Sequence, residues 1–239
     1  MPPKIIVVGA SSGIGKRVAE IYLENGTKVG ITGRRLALLE EILNKYPQLA
    51  EIESFDVTGT ENVSHLNTLV NKLGGLDILI ISAGLGDPAT ELVWEIDKRT
   101  VDTNVNGFVE IANWGFNHFV KQGHGQLVVF SSIAANRGNS YAPAYSASKA
   151  FQSNYFEGLA IKASRMKKNI TVTCIEPGFV NTRQAKGNKR FWVVPVDKAA
   201  RQIIRAIRKK KRKVYISHRW WLIAKLMRAI PYFLYKKIG

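Results

Sequence analysis

The sequence predicts a single α/β domain of the doubly wound kind, with a parallel sheet of about seven strands and helices on both faces. Three observations predict it. Short apolar runs alternate with longer segments of helical period along the 239 residues. Some of those runs, such as 76–81, are apolar nearly throughout, as a strand buried on both faces must be. A glycine-rich turn joins the first apolar run to the first helical segment.

Taken in order, residues 5–8 read as the first strand. Residues 13–25 read as a helix with Val18, Ile21 and Tyr22 on one face. A strand at 28–32 and a helix at 36–46 follow, then strands at 52–55, 76–81, 126–130 and 170–175. Helical patterns fall between them, including 99–120 and 144–166. Ile203, Ile204 and Ile207 give the basic run 201–212 an apolar face, so its first part reads as a helix. Residues 214–217 would be the last strand. No repeat or linker interrupts the pattern, so 1–217 is taken as one catalytic domain and 218–239 as a basic, aromatic extension.

The formal net charge of +17 is unevenly spread. Residues 198–239 hold 14 Lys and Arg and no Asp or Glu, while the remainder holds 21 basic and 18 acidic residues. The chain is an ordinary domain with a basic tail, which disfavours nucleic-acid binding as its main role. A single cysteine, Cys174, excludes an internal disulfide and fits a reducing compartment. It lies in an apolar run and is expected to be a buried strand residue. No signal peptide and no run of 18 uncharged apolar residues is visible, so a cytoplasmic location is expected, with the inner face of a membrane as a variant. His65, His118, His124 and His218 are scattered without metal-ligand spacing, and no metal is expected.

The chemistry begins at Gly9, Ala10, Ser11, Ser12, Gly13, Ile14 and Gly15. Absent side chains at Gly9, Gly13 and Gly15 permit a tight turn and close approach of a pyrophosphate. The following helix N-terminus offers that anion free N–H groups and positive dipole character. The second strand then runs into Arg34 and Arg35, with no acidic residue before Glu40. An acidic residue there would hold a ribose 2′-hydroxyl; guanidinium instead matches a 2′-phosphate. NADP(H) is therefore favoured over NAD(H). Arg35 also reads as a solvated residue of the next helix, a reading that suits Arg34 less.

Tyr145 and Lys149 stand one helical turn apart. A free tyrosine, with a pKa of about 10, is a poor base, and a fixed ammonium nearby favours its phenolate. Ser132 follows a predicted strand, 13 positions before Tyr145, where a hydroxyl faces the ligand crevice of an open α/β sheet. It can bond a carbonyl oxygen while Tyr145 gives the proton. Asn104 is a further polar residue in a helical run.

With these residues in register, the sequence resembles the short-chain dehydrogenase/reductase family over nearly its whole length. The resemblance rests on the Gly9–Gly15 turn, Asp56 and Val57 after the third strand, Asn104, Ser132, Tyr145, Lys149, and Pro177 with Gly178. It implies a Rossmann-type fold and hydride transfer between a nicotinamide cofactor and a carbonyl or alcohol substrate. By this resemblance Ser132 orients the substrate and Tyr145 is the acid/base. Lys149 lowers the tyrosine pKa and holds the nicotinamide ribose, and Asn104 anchors a water in the proton relay. Asp56 and Val57 would contact the adenine. Pro177, Gly178, Phe179 and Val180 would border the nicotinamide, with Thr182 near its carboxamide. Relatives form dimers or tetramers, so a homodimer or homotetramer is expected.

One departure stands out. The family shows two asparagines before an Ala-Gly pair after the fourth strand; here Ile81 and Ser82 precede Ala83 and Gly84. Ser82 makes fewer hydrogen bonds than Asn, so a modest local loss is expected. Two other classes share these motifs: a catalytically silent dinucleotide sensor, and a membrane-associated interaction protein. The segment 181–196, with Lys186, Lys189, Arg190, Phe191 and Trp192, is expected to form a lid over an amphipathic or anionic substrate. The tail, with Trp220, Trp221, Pro231 and cations Arg219, Lys225, Arg228, Lys236 and Lys237, suits either peripheral contact with an anionic membrane through 218–239 or packing against a neighbouring subunit.

Overall fold

A computed structural model describes residues 2–182, 191–217 and 219–237. Seven strands form one sheet: β1 (Ile5–Val8), β2 (Val29–Gly33), β3 (Ala50–Ser54), β4 (Ile78–Ile81), β5 (His124–Phe130), β6 (Asn169–Pro177) and β7 (Lys213–Ile216). Their order is β3-β2-β1-β4-β5-β6-β7, with every pairing parallel. Ile5 lies opposite both Val29 and Ile78. The chain therefore runs outward from β1 in one direction and then in the other. That reversal opens a crevice at the C-terminal ends of β1 and β4.

Successive strand residues point to opposite faces. Ile5 and Val7 join a core with Val18, Ile21, Leu39, Ile203 and Ile207. Those residues come from α1 (Gly13–Glu24), α2 (Leu36–Lys45) and α7 (Val196–Arg208). Ile6 and Val8 face Leu66, Leu69, Phe108, Phe116 and Phe156. These belong to α3 (Asn62–Leu73), α5 (Phe108–Gln122) and α6 (Pro143–Ser164). Each such burial contributes roughly 1.5–3 kcal/mol. Two-sided burial explains why alternation is weak in the central strands. Cys174 is buried on β6, as its apolar run predicts.

The helix expected at 99–120 is longer and not uniform. It begins as α4 (Trp94–Val101), widens into a π-helical stretch at Asp102–Gly107, and continues as α5. Such widened turns break the 3.6-residue period, so periodicity alone does not reveal them. A Cβ at Gly107 would stand 2.2 Å from the Val57 carbonyl oxygen, so the stretch seats its backbone against the loop after β3.

The tail forms α8 (Arg219–Ala229) and α9 (Tyr232–Tyr235), separated at Pro231. Trp220 and Ala224 of α8 are buried with Ile133, against Phe179, Tyr215, Ile223 and Met227. Arg137 donates to the Met227 and Ile230 carbonyls at 3.1 and 2.9 Å. Its guanidinium also lies 4.3 Å from the centre of the Tyr235 ring. A cation at the last carbonyls of a helix satisfies groups the helix itself cannot pair. Among the described residues no helix is long and apolar enough to cross a membrane.

Candidate active site

The glycine turn leaves β1 and enters α1 at the crevice. Gly9 has φ +87°, and a Cβ there would lie 2.5 Å from the Ala83 nitrogen. At Gly15 a Cβ would fall 2.3 Å from the Gly9 carbonyl oxygen. Neither position admits a side chain. Ser82 and Ala83 both donate to the Val8 carbonyl at 2.8 Å, which ties the end of β4 to the turn. The Ser82 hydroxyl packs against Gly15, where the family pattern has a larger Asn.

Arg35 does not simply lie in solvent. Its Nη2 donates to Ser11 Oγ at 3.0 Å and Ser12 Oγ at 2.8 Å, placing the guanidinium across the mouth of the turn. Arg34 turns instead to Asp56, with Nη1 3.3 Å from Oδ2. Burial raises the Asp56 carboxyl, but bonds from Thr58 and Arg34 outweigh it and hold it below the usual carboxylate range. Val57 is buried, and its carbonyl accepts from Asn62 Nδ2 at 2.9 Å. Free N–H groups at the start of α1, two hydroxyls and a guanidinium form a donor set suited to phosphate oxygens.

On the other side of the crevice, Gly178 after β6 donates to the Ile216 carbonyl at 2.6 Å. A Cβ at Gly178 would stand 2.1 Å from Trp220 Nε1, so the α8 indole lies directly on this backbone. Val180 bridges to Val194, and the Thr182 methyl lies 3.6 Å from where a Cβ of Gly13 would be. The loop after β6 thus meets the glycine turn. Phe179, Phe191, Trp192 and Trp220 pack together with ring centroids 5.1 to 6.2 Å apart. Of the expected lid, Lys186, Lys189 and Arg190 lie outside the described residues.

Ser132 lies two residues past the end of β5 and caps the short 3₁₀ turn Ile133–Asn136, accepting from the Ala134 nitrogen at 3.1 Å. Its side chain lies near the Tyr145 hydroxyl. Tyr145 lies in the first turn of α6, which Pro143 opens. The backbone of Gly86 rests on the Tyr145 ring, where a Cβ would stand 2.2 Å from Cδ2. Burial pushes the phenol pKa up, and the nearby Ser132 hydroxyl opposes that rise. Lys149 is buried one turn on, with Nζ 5.8 Å from the centre of the Tyr145 ring. Desolvation brings its ammonium down to about 8. The lysine therefore does not outweigh the burial of the phenol in this arrangement. Its Nζ is aimed at the Phe130 carbonyl and Gln152 Oε1, both at 2.9 Å.

Asn104 comes from the π-helical stretch and is fully buried. Its side chain accepts from the Leu85 nitrogen at 2.9 Å and donates to the Leu85 carbonyl at 2.7 Å and to Ser148 Oγ at 2.9 Å. It is a clamp on the loop after β4, next to Gly84. Sequence reasoning missed Gln152, Ser148, Gly86 and Trp220. Gln152 had a signal, since it stands three residues after Lys149 on the same helix face. Trp220 had none, because nothing in the chain's order places the tail against Gly178.

Comparison with known proteins places this geometry. Residues 3–191 match the family model for short chain dehydrogenases. The chain is 34% identical over 189 residues to an uncharacterized oxidoreductase of Myxococcus xanthus, covering 77% of this chain and 74% of the relative. It is 28% identical over 236 residues to one of Mycobacterium tuberculosis, covering 94% and 91%. Among solved structures, a short-chain dehydrogenase from Streptomyces avermitilis superposes with a TM-score of 0.78 at 25% identity, covering 90% of this chain and 88% of that one. ElxO with NADP bound gives 0.78 at 24% identity, covering 90% and 97%. With the sheet order, the glycine turn and the Ser132–Tyr145–Lys149 cluster in one crevice, the chain belongs to the short-chain dehydrogenase/reductase family of oxidoreductases.

Proposed function

We propose that the protein interconverts a carbonyl and an alcohol with NADPH, using Tyr145 as acid/base. The observation that carries this reading is the meeting of Ser132, Tyr145 and Lys149 at the C-terminal edge of the sheet, opposite the glycine turn. Arg35 on Ser11 and Ser12 supports a 2′-phosphate ligand, and NADP in ElxO supports the same cofactor class. Gly9, Ser11, Ser12, Gly13, Ile14, Gly15 and Arg35 would hold the phosphates, and Lys149 the nicotinamide ribose. NADPH, when bound, supplies the hydride. Ser132 directs the substrate oxygen toward Tyr145, whose O–H gives it the proton. The nearby Lys149 cation makes the resulting phenolate less costly. Phe179, Phe191, Trp192 and Trp220 suit an apolar group beside the reacting carbon, so a lipid-like substrate is favoured.

The test is NADPH consumption across aldehydes, steroids, acyl ketones and lipid-linked keto-sugars. Tyr145→Phe removes a general acid worth roughly 10²–10⁴-fold, so turnover should fall by that factor while NADPH binding persists. Undiminished turnover in that variant removes Tyr145 from the mechanism. Binding without turnover by the wild-type protein on every substrate points to a nucleotide sensor.

For the tail, we propose contact with an anionic bilayer surface. The face of α8 opposite Trp220 and Ala224 exposes Trp221, Leu222, Lys225 and Leu226, and Tyr232 and Phe233 of α9 are exposed as well. Arg219, Lys225, Arg228, Lys236 and Lys237 flank them without an acidic residue in the segment. A two-fold contact through this face would set these cations against their own copies. An anionic surface accepts both the apolar and the charged groups.

A further inference from the structure

The polar chemistry beneath Lys149 is organised by one side chain. Gln152 lies one turn along α6 and is 0% exposed. Its Oε1 accepts from Lys149 Nζ at 2.9 Å, while its Nε2 donates to the Asn104 main-chain carbonyl at 2.9 Å. The amide is thus used at both ends, across two elements: α6 carries Lys149, and the π-helical stretch carries Asn104. We propose that Gln152 is a positioning residue of this site, fixing the Lys149 ammonium by bridging it to the Asn104 carbonyl in the place where the family resemblance puts a water. This proposal rests on Lys149 serving the site as described above, but its test needs neither substrate nor cofactor.

The reasoning is one of geometry and desolvation. A buried ammonium is costly unless its protons meet acceptors. Phe130 of β5 supplies a main-chain carbonyl oxygen and Gln152 of α6 an amide oxygen, each at 2.9 Å. A water at that position would rotate freely among its partners. The glutamine cannot, because its Nε2 is committed to Asn104, whose side chain is in turn committed to Leu85 and Ser148. The result is a chain of fixed contacts from the loop after β4 to the lysine. A water relays protons by accepting one while it releases another, which an amide held at both ends does not do, so the bridge transmits position and charge rather than protons.

Other ionisable groups near Lys149 are accounted for. Tyr145 shares its helix, with a phenol pushed up by burial. On β6, burial raises the Cys174 thiol to about 12, so it stays neutral. Glu176, also on β6, is paired with Lys213 of β7 at 2.6 Å and accepts from Ser153 at 2.9 Å. β5 and the π-helical stretch present Phe130, Ser131 and Asn104, which do not titrate. Gln152 is therefore the polar partner of the ammonium whose loss is expected to matter most.

The experiment is an NMR titration of the full chain carrying ¹³Cε-lysine, with the Lys149 signal identified by its loss in Lys149→Met. Removing an acceptor from the charged form favours the neutral amine. In Gln152→Met, which keeps the volume, the Lys149 midpoint should move down by about one pH unit. Gln152→Asn keeps the polarity but is too short to span both partners, so it should shift the same way and decides the matter if the Met variant does not fold. Gln152→Glu retains an acceptor and adds charge, so its midpoint should rise above the wild type. If Met or Asn variants fold and the midpoint stays at the wild-type value, Gln152 only fills space and the proposal is overturned. A loss of thermal stability without a shifted midpoint has the same meaning.

Discussion

Arg34 and Arg35 are neighbours of identical chemistry, yet the fold gives them different work. Arg34 is spent on Asp56, while Arg35 spans Ser11 and Ser12 at the glycine turn. A 2′-phosphate bound there would exchange those hydroxyl contacts for stronger charge-assisted ones. Arg35→Ala should therefore raise the NADPH dissociation constant by roughly 10–100-fold and leave NADH nearly unchanged, as read by cofactor fluorescence. Equal losses for the two cofactors would remove the 2′-phosphate role. Residue types at this site were legible in the sequence, because glycine spacing and the Tyr145–Lys149 pair carry their chemistry in their order. Which arginine faces the turn was not, since side-chain direction at a helix entrance depends on what stands across the crevice. Lys149 is a similar case. Its presence was readable, but its aim at Phe130 and Gln152 was not.

At the scale of elements, the strands were read within a few residues of their observed bounds, because parallel burial requires continuous apolar runs. Helix irregularity escaped, and so did the role of the tail. The π-helical stretch at Asp102–Gly107 shows neither Pro nor an unusual run, and it is recognised only by its hydrogen bonds. Helix α8 has an apolar face that composition cannot assign to the domain or to a partner. The structure assigns one side of it to Ile133, Phe179 and Tyr215. Arg137 then holds its C-terminal end through two carbonyls and Tyr235. Hydrogen bonds from a charged group contribute roughly 1.5–3 kcal/mol. Arg137→Ala should accordingly make 219–237 about tenfold more sensitive to limited proteolysis, with little change in the thermal midpoint of the sheet domain. Cleavage at the wild-type rate would show that the Trp220 contacts alone dock the helix.

Across the whole molecule, charge is segregated. The body is nearly balanced, and cations dominate from Lys198 onward without acidic residues. If the exposed side of α8 meets an anionic bilayer, the protein should sediment with phosphatidylglycerol-containing vesicles and not with phosphatidylcholine alone. Raising salt from about 0.1 to 1 M shortens the screening length from roughly 10 to 3 Å and should release much of it. Leu222→Glu with Leu226→Glu should abolish binding in either salt. A change in oligomeric state with these substitutions, and no vesicle binding by the wild type, would assign the face to a neighbouring subunit instead. The sequence by itself determined the α/β class, the glycine turn and the identities of Ser132, Tyr145 and Lys149, because periodicity and local spacing encode them. Only the tertiary structure decided that Gln152 links Lys149 to Asn104, that Arg35 guards the turn and that Trp220 lies on Gly178. Those contacts join residues far apart in the chain or side chains whose direction is set by packing, and no local pattern records such a choice.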